Sequence, residues 1–211
     1  MHEEMILYHY WRSSCSWRVR WALNVKKIPH QLVAINLLKN EQKTPAFLAK
    51  NPAGFLPTLE WQGAYFGESL AILEFLEEKF PQIPLLPIDL KSRMQVRQLT
   101  LSIIAGTQPF QNLSALDFLA SDAEERKHIS VHFINKGLEK YEAFLEHVNS
   151  STYSFGSQLT FADLALIPQC YNALRNDIDL AKYPRIQGIY QRCRATEACE
   201  KASPESHEPM N

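Results

Sequence analysis

The chain has 211 residues, enough for one large domain or two small ones, and 45% apolar with 21% charged residues is the balance of a soluble globular protein. A net charge of −1 supplies no basic field, so neither nucleic acid nor an acidic membrane is expected as a partner. Cys15, Cys170, Cys193 and Cys199 form no disulfide framework and have no metal-ligand spacing, which predicts a reduced, cytoplasmic protein without a metal. The start, with His2, Glu3 and Glu4, is unlike a signal peptide, and no stretch approaches the roughly 18 apolar residues of a membrane span.

The first 80 residues alternate strand and helix signals. Met5–Tyr10 reads as a buried strand. Trp17–Lys26 reads as a helix with Val19, Ala22, Leu23 and Lys26 on one face. Gln31–Ile35 is a second strand, and Thr44–Lys50 a short helix or turn. Thr58–Trp61 and Ala64–Phe66, joined at Gln62-Gly63, form a hairpin with a two-residue loop. Ser69 is expected to cap Leu70–Phe80, whose buried stripe is Leu70, Ile72, Leu73, Leu76 and Phe80. The order β-α-β-α-β-β-α describes an α/β domain of thioredoxin type over residues 1–82.

Pro81, Pro84 and Pro87 mark a linker, placed at 83–90. Strand signals then almost vanish. Helices are expected over Lys91–Gln108, Ala123–Asn149, Phe161–Arg175, Pro184–Arg194 and Glu197–Ala202, giving an all-α domain over 91–211. The polar end, Ser203–Pro209, is either frayed or laid over the surface.

The most informative stretch is Arg12-Ser13-Ser14-Cys15-Ser16-Trp17-Arg18-Val19-Arg20. A strand ends in small hydroxyl and thiol side chains just where a helix begins. Unpaired N–H groups and the dipole at a helix N-terminus favour an anion there, in particular a thiolate. That thiolate belongs either to Cys15 or to a bound thiol. Leu56-Pro57-Thr58 puts a proline at a strand's first position, where the missing donor does no harm. A cis peptide there would leave the Leu56 backbone to pair with an extended ligand. Glu68-Ser69 opens a helix and suits the ammonium and carboxylate of an amino-acid-like zwitterion. Thr160-Phe161-Ala162-Asp163 is a capping box with Leu159 and Leu164 as a hydrophobic staple, so Asp163 is assigned to folding. Gln108-Pro109-Phe110-Gln111-Asn112-Leu113-Ser114 reads by itself as a kink with solvated amides. Arg175 reads as a dipole-favoured cation closing a helix whose Ala165, Leu166, Ile167, Tyr171 and Leu174 are buried. His9 lies on the first strand near the site, and no histidine is assigned to catalysis.

Taken together, these residues resemble the zeta class of glutathione transferases. Ser13-Ser14-Cys15-Ser16-Trp17-Arg18-Val19-Arg20 matches the class signature. The likeness continues through Asn51-Pro52, Leu56-Pro57-Thr58-Leu59, Glu68-Ser69-Leu70-Ala71-Ile72, Gln108–Ser114 and Thr160–Asp163. The resemblance implies a glutathione transferase architecture with glutathione as cofactor, a small-molecule substrate and a homodimer. It implies Ser13 beside the glutathione sulfur with Ser14 and Cys15 as neighbours in the catalytic cluster. It further implies Arg18, Gln42, Leu56, Pro57, Glu68, Ser69, Gln108, Asn112 and Ser114 as glutathione-binding, with Arg175 and Gln108 toward the substrate. Trp11 and Trp21 are bulkier than the usual residues and either narrow the pocket or repack the core.

The activity so implied is cis–trans isomerisation of maleylacetoacetate to fumarylacetoacetate in tyrosine and phenylalanine breakdown. A thiol with a pKa of about 8.5 is only slightly ionised at neutral pH, so the site must favour the thiolate that adds reversibly to the cis double bond. Maleylpyruvate isomerisation and general transferase activity, including on α-haloacids, are alternatives. Thiol redox chemistry through Cys15 and a non-enzymatic binding module are weaker ones.

Overall fold

The computed structural model describes residues 4–209. The chain divides into two compact units, one running to Pro84 and completed by the segment from Thr196, the other spanning Leu85–Ala195.

In the first unit β1 (Met5–His9) is central, since its residues are largely buried. Sheet order is β2-β1-β3-β4, with β2 spanning Gln31–Ala34, β3 Thr58–Trp61 and β4 Ala64–Phe66. β1 pairs in parallel with β2 and antiparallel with β3, and β3 pairs antiparallel with β4 across Gln62-Gly63. Helix α1 (Ser14–Val25) makes the crossover that a parallel pair requires. Pro45–Leu48 forms the short α2, and α3 covers Ser69–Lys79. Ile72, Leu73 and Leu76 of α3 are buried as expected, while Leu70 and Phe80 are only half-buried.

Helix α1 is buried well beyond the expected stripe: Trp17, Arg18, Val19, Arg20, Trp21, Ala22 and Leu23 are all inaccessible. It packs against both α3 and α9 (Glu197–Ala202). The C-terminal segment therefore belongs with the first unit, not with a helical domain extending to 211, and Cys199, Ala202 and Ser203 are fully buried in it. Of the tail Ser203–Pro209, Ser203 and Pro204 are buried, while 205–209 are largely exposed and laid over the surface, with the Ser206 hydroxyl donating to the Glu200 carbonyl at 2.7 Å. Trp21 is a core residue. Lys26 is also buried, because its ammonium uses all three donors: 2.7 Å to Glu77 Oε2, 2.9 Å to the Phe80 carbonyl and 2.8 Å to the Ile83 carbonyl.

The second unit is helical. Its elements are α4 (Leu90–Ile104), α5 (Leu113–Leu119), α6 (Ala123–His147), α7 (Phe161–Arg175) and α8 (Pro184–Arg194). It begins earlier than the expected linker allows, since Leu85 and Leu86 are buried and the Phe161 N–H donates to the Leu85 carbonyl. Helix α4 stops at Ile104 rather than Gln108, and a 3-10 turn, Gln108–Gln111, follows. Helix α7 is the core of this unit. Both halves of its capping box form, and Asp163 also accepts from the Ser154 N–H at 2.8 Å. Burial pushes the Asp163 carboxyl up, and these donors counter it.

Candidate functional site

Ser13 is the N-cap of α1: its hydroxyl oxygen accepts from the Ser16 N–H at 3.2 Å. The helix thus starts three residues before the expected Trp17, because the cap is Ser13 and the polar Ser14-Cys15-Ser16 is the first turn. An Oγ that accepts a backbone N–H still has its own proton to donate. Ser13, Ser14 and Cys15 are each half-buried, open on one side at a helix N-terminus.

Arg18, one turn further on, is fully buried. Its Nη1 donates to Ser69 Oγ at 2.8 Å and reaches Cys15 Sγ at 3.6 Å. A single nitrogen so joins the first turns of α1 and α3. Burial lowers the guanidinium's pKa, and Cys15 beside it acts in the opposite sense. The expected cap role of Ser69 is corrected here. Glu68 is the N-cap, Ser69 is the first helical residue, and its hydroxyl is engaged by Arg18. Arg18 is correspondingly a support under Ser69 rather than an open binding group.

Glu68 is exposed and sits at φ +60°, ψ +104°, a region that costs a non-glycine residue of order 1–3 kcal/mol and that clusters at ligand sites. The Leu56–Pro57 peptide is cis. The β1–β3 ladder ends at Thr58, and among the described residues no backbone hydrogen bond involves Leu56. Asn51 shapes this loop: its amide donates to the Phe55 carbonyl and to Thr58 Oγ1, each at 3.0 Å, and its oxygen accepts from the Ala53 N–H at 3.1 Å. Gly54, at φ +65°, lies so near the Gln42 carbonyl that a Cβ would sit 3.2 Å from it. That contact seats the Gln42 turn beside the proline loop. Gln42 Oε1 is shielded from solvent and makes no hydrogen bond in the protein, an acceptor left for a ligand.

Two buried residues belong to stretches that carry the family likeness but have no role assigned from the sequence. Asn51 could have been found from Asn-Pro ahead of a glycine, a turn signal. Arg20 left no such signal, because a basic residue on a helix reads as solvated. It is 1% exposed, and its partners are carbonyls from distant segments. His9 is buried against Arg20, with Nδ1 at 3.0 Å from Nη1.

In the second unit Gln108 is buried, whereas Asn112, Ser114 and Arg175 are exposed. The amides of this run are not simply solvated. Gln111 exchanges hydrogen bonds with the buried Gln169 at 2.7 and 3.3 Å and also accepts from Asn172. This clamp sets the Gln108–Gln111 turn on α7 at Gln169 and Asn172, between about one and two turns before Arg175. Leu174 is exposed and Tyr171 half-buried, contrary to the expected burial of both.

Such a fold and site have a counterpart among known families. The model for the glutathione S-transferase N-terminal domain matches residues 7–84, and that for the glutathione S-transferase C-terminal domain matches 110–201. The chain belongs to the glutathione S-transferase family. It is 40% identical over 206 residues to probable maleylacetoacetate isomerase 2 of Drosophila melanogaster, covering 97% of this chain and 89% of the relative. A solved maleylpyruvate isomerase, described as a bacterial zeta-class glutathione transferase, is 34% identical with a TM-score of 0.93, covering 98% of this chain and 100% of that one. A maleylacetoacetate isomerase from Anaeromyxobacter dehalogenans 2CP-1, solved with glutathione in its active site, is 37% identical with a TM-score of 0.87, covering 96% and 97%. The zeta-class resemblance of the sequence is borne out.

Proposed function

We propose that this protein is a glutathione-dependent maleylacetoacetate isomerase of tyrosine breakdown, acting in the cytoplasm as a homodimer. The observation that carries the reading is the Ser13 cap, whose oxygen is oriented by the Ser16 N–H and whose proton remains to be donated. When bound, glutathione supplies a nucleophilic sulfur that adds reversibly to the conjugated cis double bond and so permits rotation about it.

The residues present fit that tripeptide. Glu68 offers a carboxylate to the γ-glutamyl ammonium, and Ser69 with the N-terminus of α3 receives the adjoining carboxylate. The unpaired Leu56 backbone takes the cysteinyl part, beside Pro57. The orphaned Gln42 oxygen accepts from the N–H of the glycyl residue. Ser13 donates to the sulfur, and the N-terminus of α1 adds its partial positive charge. Each pKa unit by which they favour the anion is worth about 1.4 kcal/mol. Within the second unit, Arg175 is an exposed cation suited to a substrate carboxylate, and Gln108, Asn112 and Ser114 are the polar groups of that unit to which the family likeness gives a binding role.

The dimer is supported by an unpartnered apolar stripe. Leu90, Met94 and Leu101 lie along one face of α4 and are exposed, Leu90 by 84%. A second copy of the chain would cover that face.

The test is turnover of maleylacetoacetate and of maleylpyruvate with glutathione, followed by ultraviolet absorbance. Turnover of maleylacetoacetate with glutathione regenerated is expected. Preference for maleylpyruvate would replace the substrate, and no turnover of either would overturn the isomerase reading. Thiol redox chemistry at Cys15 is the second reading, favoured by the 3.6 Å contact between the Arg18 guanidinium and Cys15 Sγ. Cys15→Ala abolishes activity in that case and preserves it if Ser13 serves the sulfur.

A further inference from the structure

Arg20 is an unusual buried cation. It lies about two turns along α1 from Ser13. Nη2 donates to the Trp11 carbonyl at 2.9 Å, and Nη1 to the Tyr10 carbonyl at 3.4 Å. Nε donates to the Ala202 carbonyl at 2.9 Å, 182 residues away at the end of α9. The Tyr10 carbonyl also accepts from the Ser13 N–H at 3.1 Å, so one oxygen links the guanidinium to the serine. Among the described residues no carboxylate forms an ion pair with Arg20, and burial lowers its pKa to about 9. His9 completes the set as a neutral acceptor, with His207 stacked edge-on against it at 5.5 Å between ring centres. The charged and titratable groups acting on His9 are Arg20, His207 and His30.

A guanidinium held only by neutral acceptors is a poor way to gain stability, because an apolar side chain of similar volume needs no desolvation. What Arg20 does supply is geometry. Its fork fixes the two carbonyls that lead into the Ser13 turn and ties them to the C-terminal helix.

We infer that Arg20 is a positioning residue for Ser13, and that through it the C-terminal segment sets the aim of the Ser13 hydroxyl at the sulfur of bound glutathione. The inference rests on the proposed role of Ser13. Its test is a double-mutant cycle in the full-length protein, read as the pKa of the bound glutathione thiol from thiolate absorbance against pH, with glutathione affinity by calorimetry alongside. Ser13→Ala is expected to raise that pKa. Arg20→Lys, which keeps the charge and loses the fork, is expected to raise it by up to ~1 unit, a tenfold change in the thiolate equilibrium. In the Ser13→Ala background Arg20→Lys should produce no further shift.

If the two shifts add, or Arg20→Lys alone is silent, the positioning role is overturned while the role of Ser13 stands. If Ser13→Ala itself leaves the pKa unchanged, the reading of Ser13 falls and the inference with it. Should Arg20→Lys not fold, His9→Asn, which disturbs one Arg20 contact and leaves the guanidinium, enters the same cycle with the same outcomes.

Discussion

The guanidinium of Arg18 and the hydroxyl of Ser69 are 2.8 Å apart in the buried seam between α1 and α3, and the same nitrogen faces Cys15. This contact makes the start of α3 dependent on the helix that carries Ser13. Arg18→Met should leave Ser69 without its charged donor, a loss of about 1.5–3 kcal/mol. Calorimetry should then show glutathione affinity reduced by roughly tenfold or more. Unchanged affinity would mean that Ser69 needs no support from Arg18.

Ser13 and Cys15 share one helical turn and differ in what is asked of them. Ser13→Ala removes both a cap and the proposed donor to sulfur. Its turnover should fall by roughly 10²-fold or more, with a stability loss of about 1 kcal/mol. Cys15→Ala should keep most of the turnover. Steady-state kinetics of the two variants decides the matter, and the reverse ranking would favour redox chemistry.

Lys26 and Glu77 form a buried pair at 2.7 Å, and the ammonium also caps the carbonyls of Phe80 and Ile83. Lys26→Ala removes the ammonium from a buried ion pair and from the two carbonyls it caps, and should destabilise by about 3–5 kcal/mol. Urea denaturation measures this. Glutathione affinity of the folded fraction should not move, because the pair lies at the far end of α1 from Ser13.

Burial and the charge of Arg20 lower the pKa of His9 to about 3, from 6.5. A group with a depressed folded pKa binds its proton more readily when unfolded. Its contribution is therefore fully present above pH 6.5 and is lost progressively as pH falls toward 3. Unfolding free energies at pH 7 and pH 4.5 should show a larger acid loss in the natural protein than in His9→Asn. Equal losses would place the acid sensitivity elsewhere.

The Gln111–Gln169 exchange is a reciprocal amide pair against a fully buried partner. Gln169→Leu takes away the acceptor of the Gln111 amide N–H while the Asn172 contact remains, and should cost about 1–3 kcal/mol. If the clamp also sets the Gln108–Asn112 turn for the substrate, KM for the substrate rises more than kcat falls. Initial-rate kinetics separates that outcome from a purely structural role.

The sequence by itself determined the elements and the chemistry of the first turn of α1. Period-2 and period-3.6 patterns reflect which face a residue buries, so the hairpin at Gln62-Gly63 and helix α7 were legible. Ser13 could be read as an anion-site residue because capping is local: the cap and its N–H lie three residues apart. The tertiary structure alone decided what depends on distant partners. Arg20 and Lys26 look like ordinary helix-surface cations until carbonyls from Ala202, Phe80 and Ile83 arrive to satisfy them. The C-terminal helix joined the first unit for the same reason. A buried donor must find an acceptor wherever the chain brings one, and no local pattern records where that will be.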